Sequence, residues 1–143
     1  MLKHIPKVLS PDLVKVLMEM GHGDEIVLAD GNFPSASLAN RLIRCDGLEI
    51  PTLLSAILKF FPLDTYCDFP VTLMKVVDGD DYVPTIWDEY RQIISKNSEV
   101  ATDFSYIDRF SFYKKSKQCY AVVATSEQSL YANIILKKGV VTD

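Results

Sequence analysis

A histidine set between two glycines, Gly21-His22-Gly23, precedes Asp24, and a further carboxylate, Asp30, follows shortly after in the chain. Glycine neighbours leave an imidazole unobstructed, and imidazole is the side chain that gives and takes a proton near neutrality. Further along stand Asp64 and a C-terminal set, Arg109, Tyr113, Tyr131 and Asn133. Such groups suit a polyhydroxylated ligand. A carboxylate accepts hydrogen bonds from paired hydroxyls, Arg and Asn supply fixed donors, and Tyr offers an apolar face with a hydroxyl at its end. Each group also has a plainer reading. His22 is equally a structural histidine, Asp30 a turn former after a strand, and Asp64 a residue that ends a helix. For an unlabelled Arg109 a surface ion pair is the more ordinary reading, and Tyr113 and Tyr131 are by default half-buried packing residues.

Other chemistries find less support. Asp78, Asp80 and Glu89 occupy positions 1, 3 and 12 of a calcium-binding EF-hand loop. Position 5, however, is Tyr82, position 6 is Val83 where glycine is needed, and Pro84 follows, so the stretch reads as a solvated turn. Zinc sites need His or Cys clusters at ligand spacing, which the sequence lacks. Gly21-x-Gly23 has no third glycine and precedes a strand instead of following one, which makes it a poor phosphate cradle. Cys45, Cys67 and Cys119 form no C-x-x-C pair and read as reduced core thiols. Lys and Arg number 15 against 19 Asp and Glu, a formal charge of −4 without a basic block, and this disfavours a nucleic-acid partner. No apolar run approaches the roughly 20 residues that cross a bilayer, which argues against a membrane partner. The start, Met1-Leu2-Lys3-His4-Ile5-Pro6, has neither a continuous apolar segment nor a small-residue cleavage site. A soluble, cytoplasmic protein is expected.

The elements that must position these groups are legible in the same chain. With 143 residues, 48% hydrophobic and 24% charged, the sequence suits one domain, 1–143, around one core, with no need of disulfides or a structural metal. Ser10-Pro11-Asp12 opens a helix with a cap, a first-turn proline and an acid at the positive end of the dipole. Leu13, Leu17 and Met20 share its inner face, and Gly21 is expected to end it in the left-handed conformation. Glu25 to Asp30 predicts a strand buried on both faces, with Asp30 at its carboxyl end, where ligands gather in open α/β sheets; Gly31 to Pro34 continues as a loop. Leu42 to Cys45 predicts a strand ended by Asp46-Gly47, Pro51 to Phe60 a helix stopped by Pro62, and Phe69 to Val77 an alternating strand. Thr85 to Ile94 predicts a helix with Trp87, Tyr90 and Ile94 inward. A short strand at Tyr106-Ile107, a helix over Phe112 to Lys117, and strands at Cys119 to Thr125 and Ile134 to Leu136 complete the chain. Strands interleaved with helices predict a layered α/β sandwich around a mixed sheet.

The text of the chain resembles the L-fucose mutarotases, related to the bacterial ribose pyranases. The matching blocks are Met20 to Asp30, Phe33-Pro34, Ile43 to Leu48, Pro62 to Tyr66, Arg109-Phe110-Ser111-Phe112-Tyr113 and Tyr131 to Val140, in order and essentially end to end. The Arg-Phe-x-Phe-Tyr block is closer to the fucose branch than to the ribose branch. Ala132 stands where the family usually has Gly between Tyr and Asn, a difference that matters wherever that residue needs positive φ or a tight approach to sugar. Cys45 and Ser126 also replace the usual Ala and Gly.

The resemblance implies a three-layer α/β/α sandwich, no cofactor and no metal, and interconversion of the α and β anomers of L-fucose by acid–base ring opening and closure. It implies a proton-transfer role for His22, with Tyr113 or Asp64 as partner, and sugar contacts from Asp30, Arg109, Tyr131 and Asn133. It further implies a homo-oligomer, a decameric ring as in the bacterial members, with sites where subunits meet, or a dimer as in the animal ones. Two other readings remain open at this point: a non-catalytic monosaccharide-binding or regulatory protein, and a ribose pyranase.

Overall fold

The computed structural model describes residues 1–99 and 103–143. Six strands form one mixed sheet in the order β2-β5-β1-β6-β3-β4. They are β1 (Glu25–Ala29), β2 (Leu42–Cys45), β3 (Val71–Met74), β4 (Ser105–Ile107), β5 (Ala121–Thr125) and β6 (Ile134–Lys137). β2, β5 and β1 run parallel, as do β3 and β4; β6 lies antiparallel between β1 and β3. Side chains alternate through the sheet as its pleat requires. Ile26, Leu28, Val123, Ile134 and Leu136 face one hydrophobic cluster, while Val27, Ala29, Val122 and Ile135 face the other. The first cluster is closed by α1 (Pro11–Glu19), α3 (Ile50–Ile57) and α4 (Ile86–Asn97). The second is closed by α2 (Ser35–Leu38) and α5 (Arg109–Gln118). The result is the layered α/β sandwich that the pattern predicts, in the three-layer α/β/α form implied by the resemblance.

Local chemistry sets most boundaries. Ser10 caps α1 by accepting from the Leu13 amide at 3.1 Å, a contact worth about 1 kcal/mol. Asp108 accepts from the Phe110 and Ser111 amides, so α5 starts at Arg109, before the predicted Phe112. α4 runs on to Asn97, beyond the predicted Ile94, because Asn97 and Ser95 donate back to the Ile93 and Gln92 carbonyls. β3 is shorter than predicted and buried throughout, since it sits inside the sheet between β6 and β4. The loop expected over Gly31 to Pro34 is present, and α2, a single turn directly after it, was not predicted.

One expectation fails at the end of α1. Its C-cap is the extended Met20, and the left-handed glycine is Gly23, at φ 86°. Gly21 to Asp24 forms a tight turn, with the Asp24 amide donating to the Gly21 carbonyl at 3.2 Å and Gly23 at the position where a type II turn needs positive φ. His22 is thereby lifted to the apex.

Candidate active site

The sequence-predicted residues divide between opposite edges of the sheet. His22 lies before β1, at the edge where β6 ends; Asp30 follows β1, at the edge where β6 begins. Six steps of extended chain from Asp24 to Asp30, at about 3.3 Å each, separate the edges by about 20 Å. Within one chain His22 therefore does not meet Asp30, Asn133 or Tyr131.

At the amino edge the continuation of β6 acts as a spacer zipped on both sides. The Gly23 amide donates to the Lys138 carbonyl at 2.8 Å, and the Lys138 amide to the Asp24 carbonyl at 2.8 Å. On the other flank the Asp64 amide donates to the Lys137 carbonyl at 3.0 Å, and the Gly139 amide to the Pro62 carbonyl at 2.7 Å. A side chain on Gly139 would put its Cβ 2.7 Å from the Leu63 carbonyl oxygen and 2.9 Å from the Asp64 Cα, so only glycine permits this approach. The two loops then present His22 Nε2 and Asp64 Oδ1 to one another at 3.0 Å. The imidazole remains 45% exposed while the carboxylate is 4% exposed. Burial pushes the Asp64 carboxyl up, but the Tyr66 amide, the His22 imidazole and the Cys67 thiol all bond to its charged form and together hold it below the ordinary carboxylate range. An ionised Asp64 only accepts, so His22 Nε2 is the donor in this bond, and of the two tautomers of a neutral imidazole the contact selects the one with the Nδ1 lone pair free. The exposed Tyr66 ring stands 5.3 Å from the imidazole, tilted against it. Of the two partners considered for His22, Asp64 is the one in contact within the chain.

Cys67 departs from the core-thiol expectation. Cys45 and Cys119 are buried, but Cys67 is half-exposed and bonded to Asp64. Among the described residues no group of three or more His, Cys, Asp or Glu could hold a metal ion.

At the carboxyl edge the groups that suit hydroxyls gather. Asn133 is buried, and its Oδ1 accepts from the Asp30 amide at 2.7 Å, which ties the end of β1 to the start of β6. Burial pushes the Asp30 carboxyl up, against the Asn32 and Phe33 amides that stabilise its charge. The Gly31 amide donates to the Glu127 carbonyl at 2.9 Å. A cavity of about 220 Å³ opens beside Asp30, between the 31–37 segment and Arg44. Arg109 and Tyr113 share a face one helical turn apart in α5, and Arg109 Nε donates to the Tyr113 hydroxyl at 3.2 Å. Their helix follows β4, whose carboxyl end lies on this same edge, so Tyr113 does not reach His22 in one chain.

Tyr131 stands at φ 57°, a left-handed conformation rare for a bulky residue. The sequence directs that question to Ala132, which has no positive φ; the strained position is its neighbour. The Tyr131 hydroxyl donates to Asp80 Oδ2 at 2.6 Å. Asp80 was expected to be a solvated turn residue, and the turn is present, with Gly79 at φ 91°; its bond to Tyr131 went unforeseen. Nothing in the spacing of residues 80 and 131 signals it, since the contact is made through the sheet order. Glu127, buried, accepts from the Ile50 and Ser129 amides and was likewise not foreseen.

Fold and site together define a mixed-sheet α/β protein that offers a paired, half-exposed imidazole at one sheet edge and a set of groups whose chemistry suits hydroxyls at the other. Residues 3–141 match the model of the RbsD / FucU transport protein family, and the chain belongs to that family. It is 46% identical over 140 residues to the L-fucose mutarotase of Histophilus somni, covering 98% of this chain and 97% of that protein. It is 48% identical to the fucose mutarotase of Mus musculus, covering 96% and 94% respectively. The crystal structure of the fucose mutarotase from Streptococcus pneumoniae in complex with L-fucose superposes with a TM-score of 0.94 at 62% identity, covering 99% of this chain and 100% of that one.

Proposed function

We propose that the protein interconverts the α and β anomers of L-fucose by acid–base ring opening. The observation that carries this reading is the His22–Asp64 pair, a half-exposed imidazole whose tautomer is fixed by a buried carboxylate, in a chain 62% identical to a mutarotase that binds L-fucose.

Mutarotation breaks the bond from C1 to the ring oxygen and reforms it on the other face. One group takes the proton of the anomeric hydroxyl while another protonates the ring oxygen; after rotation about C1–C2 the roles reverse. His22 Nδ1 takes and returns the proton, and the Asp64 carboxylate stabilises the imidazolium between the two steps. Asp64 itself is too buried to touch sugar, so it positions His22. Tyr113 is the group that protonates the ring oxygen, helped by the Arg109 guanidinium that donates to its oxygen. Asp30, Asn133 and Tyr131 hold the sugar hydroxyls, with Arg109 at the rim. No cofactor enters the scheme. General acid–base catalysis contributes about 10²–10⁴-fold, roughly 3–5 kcal/mol, enough for a reaction that already proceeds slowly in water.

Because the two sets of groups lie on opposite edges, a working centre combines His22 of one copy with Asp30, Tyr113, Tyr131 and Asn133 of another. A closed ring of head-to-tail copies, here a decamer, satisfies that requirement. No helix among the described residues is long and apolar enough to cross a membrane, and the cytoplasm is the proposed location.

Magnetisation-exchange NMR on L-fucose tests the proposal. Wild-type protein is expected to produce cross-peaks between the α and β anomers, and His22→Ala to lose them. Binding of fucose without faster exchange would instead mark a sugar-binding or regulatory protein, and faster furanose–pyranose exchange on D-ribose than anomer exchange on fucose would mark a ribose pyranase.

A further inference from the structure

The least relaxed backbone at the carboxyl edge is that of Tyr131, and two aromatic residues of α4 hold the chain beside it. The Trp87 indole N–H donates to the Tyr131 carbonyl at 2.8 Å, and the Tyr90 hydroxyl donates to the Ala132 carbonyl at 2.6 Å. These are consecutive carbonyls, so the two bonds fix the two peptide planes on either side of Ala132. One plane ends at the Tyr131 Cα and the other at the Asn133 Cα. One of the two planes that meet at the Tyr131 Cα, and one of the two that meet at the Asn133 Cα, are thereby held in place.

The two donors differ in surroundings. Tyr90 and Ala132 are fully buried, and Tyr90 belongs to the main core cluster. Its hydroxyl satisfies a carbonyl that water does not reach, which folding alone requires. Trp87 is half-buried, its ring 5.2 Å from that of Tyr106, and its N–H serves a residue that is itself half-exposed. Water could satisfy the Tyr131 carbonyl there. What the indole adds over water is direction, and it adds it at a residue whose left-handed φ makes other conformations accessible once the constraint is lost. On its other side the phenol is held by Asp80 and by the Val77 amide, which donates to its oxygen at 3.4 Å.

We propose that Trp87 is a positioning residue for the sugar site: through the Tyr131 carbonyl it keeps Tyr131 in its left-handed conformation and its hydroxyl at the carboxyl edge, and so sets affinity for sugar while leaving the proton-transfer step alone. The inference rests on the reading of Tyr131 as a sugar contact. Trp87 touches neither sugar nor the imidazole, so its loss is felt as weaker binding, and only as long as Tyr131 has a hydroxyl to position.

The test is a double-mutant cycle on the full-length protein, with anomer exchange of L-fucose followed by NMR across sugar concentrations to separate KM from kcat, and thermal melting recorded for each variant. Trp87→Phe keeps an aromatic ring but removes the N–H with its five-membered ring, which is why melting is recorded beside it; Tyr131→Phe keeps the ring and removes the hydroxyl. Losing the direction of one hydrogen bond is expected to raise KM about five- to tenfold for Trp87→Phe with kcat within about twofold. Tyr131→Phe is expected to raise KM by at least as much, and the double variant to match Tyr131→Phe alone. Wild-type KM in Trp87→Phe, beside a raised KM in Tyr131→Phe, overturns the inference and leaves the sugar contact standing. Additive effects in the double variant, tracking a fall in Tm, also overturn it and make Trp87 a folding residue only. Wild-type KM in Tyr131→Phe removes the contact on which the inference rests, and both readings go together.

Discussion

The two edges of the sheet hold polar groups by different means. At the amino edge, backbone does the holding: residues 137–139 pair with the His22 turn on one side and the Asp64 loop on the other, and the His22–Asp64 contact follows from that ladder. At the carboxyl edge, side chains do it: Asn133 ties down Asp30, Trp87 ties down Tyr131, and Asp80 meets the phenol. The electrostatics run in opposite directions as well. Asp64, surrounded by donors, is held below the ordinary carboxylate range, whereas burial pushes Asp30 above it. In the proposed reading His22 needs a fixed tautomer and orientation: the main-chain ladder brings Asp64 to it, and the carboxylate fixes the tautomer. The groups proposed to bind several hydroxyls need many directions, which loops and side chains provide.

The sharpest way to break this contrast is to remove the imidazole. His22→Ala is expected to lower anomer exchange of L-fucose by about 10²–10⁴-fold with sugar binding largely kept, measured by NMR exchange and calorimetry. Retained exchange would move the chemistry to the other edge. Next in size is Asp64→Asn, which replaces an acceptor with an amide able to donate to Nε2 and so favours the wrong tautomer. A loss of about 10²-fold in exchange is expected, the lower part of the acid–base range.

Mixing tests whether the edges act together across copies. Co-assembled His22→Ala and Asp30→Asn subunits, each inactive alone, are expected to regain about a quarter of the wild-type rate, because a random head-to-tail ring places the two intact edges together at about one interface in four. No recovery in mixed oligomers verified by native mass spectrometry would mean that each chain works by itself.

Gly139→Ala probes the ladder without touching a polar side chain. The added methyl would meet the Leu63 carbonyl and the Asp64 Cα, so a loss of about 1–3 kcal/mol in chemical denaturation is expected, together with a several-fold drop in kcat as Asp64 moves from His22. Unchanged stability would show that the close approach is not required.

The smallest effect is in the pH dependence of stability. Asp64, with its folded pKa lowered, contributes stability that is present above its unfolded value and lost as pH falls through the folded one. Asp30, with its folded pKa raised, contributes in the reverse sense: its share is present at low pH and lost as pH rises through the folded value. Asp64→Asn is therefore expected to lower Tm by a few degrees at neutral pH and hardly at all in acid, whereas Asp30→Asn leaves or raises Tm at neutral pH. Parallel Tm curves for the two variants would erase the electrostatic difference between the edges.

Much of the fold was legible because its causes are local. Ser10 and Pro11 announce α1, the apolar run ending at Asp30 announces β1, and the stripe of Trp87, Tyr90 and Ile94 announces α4. The misses were also local decisions, taken by neighbours: Asp108 moved the start of α5, and Gly23 instead of Gly21 took the left-handed position. In the site, residue types marked His22, Asp30, Asp64, Arg109, Tyr113, Tyr131 and Asn133 as candidates, the glycine flanks left His22 even between a structural and a chemical reading, and the family likeness supplied the roles. Asp80, Trp87 and Glu127 carried no such mark, since each acts on a loop far away in the sequence.

What the chain determined by itself is the order of elements, the face each one buries and the exposure of the His22 imidazole, because periodicity, caps and turn residues act over a few residues. The partner of that imidazole was decided only in three dimensions. Asp64 and His22 do not pair with each other along any element; they meet because a third segment, the antiparallel return of β6, comes between their loops and bonds to both. β1 alone sets Asp30 on the edge opposite His22, which the sequence already shows; what strand order decides, and no local pattern encodes, is that the start of β6 brings Tyr131 and Asn133 to the Asp30 edge.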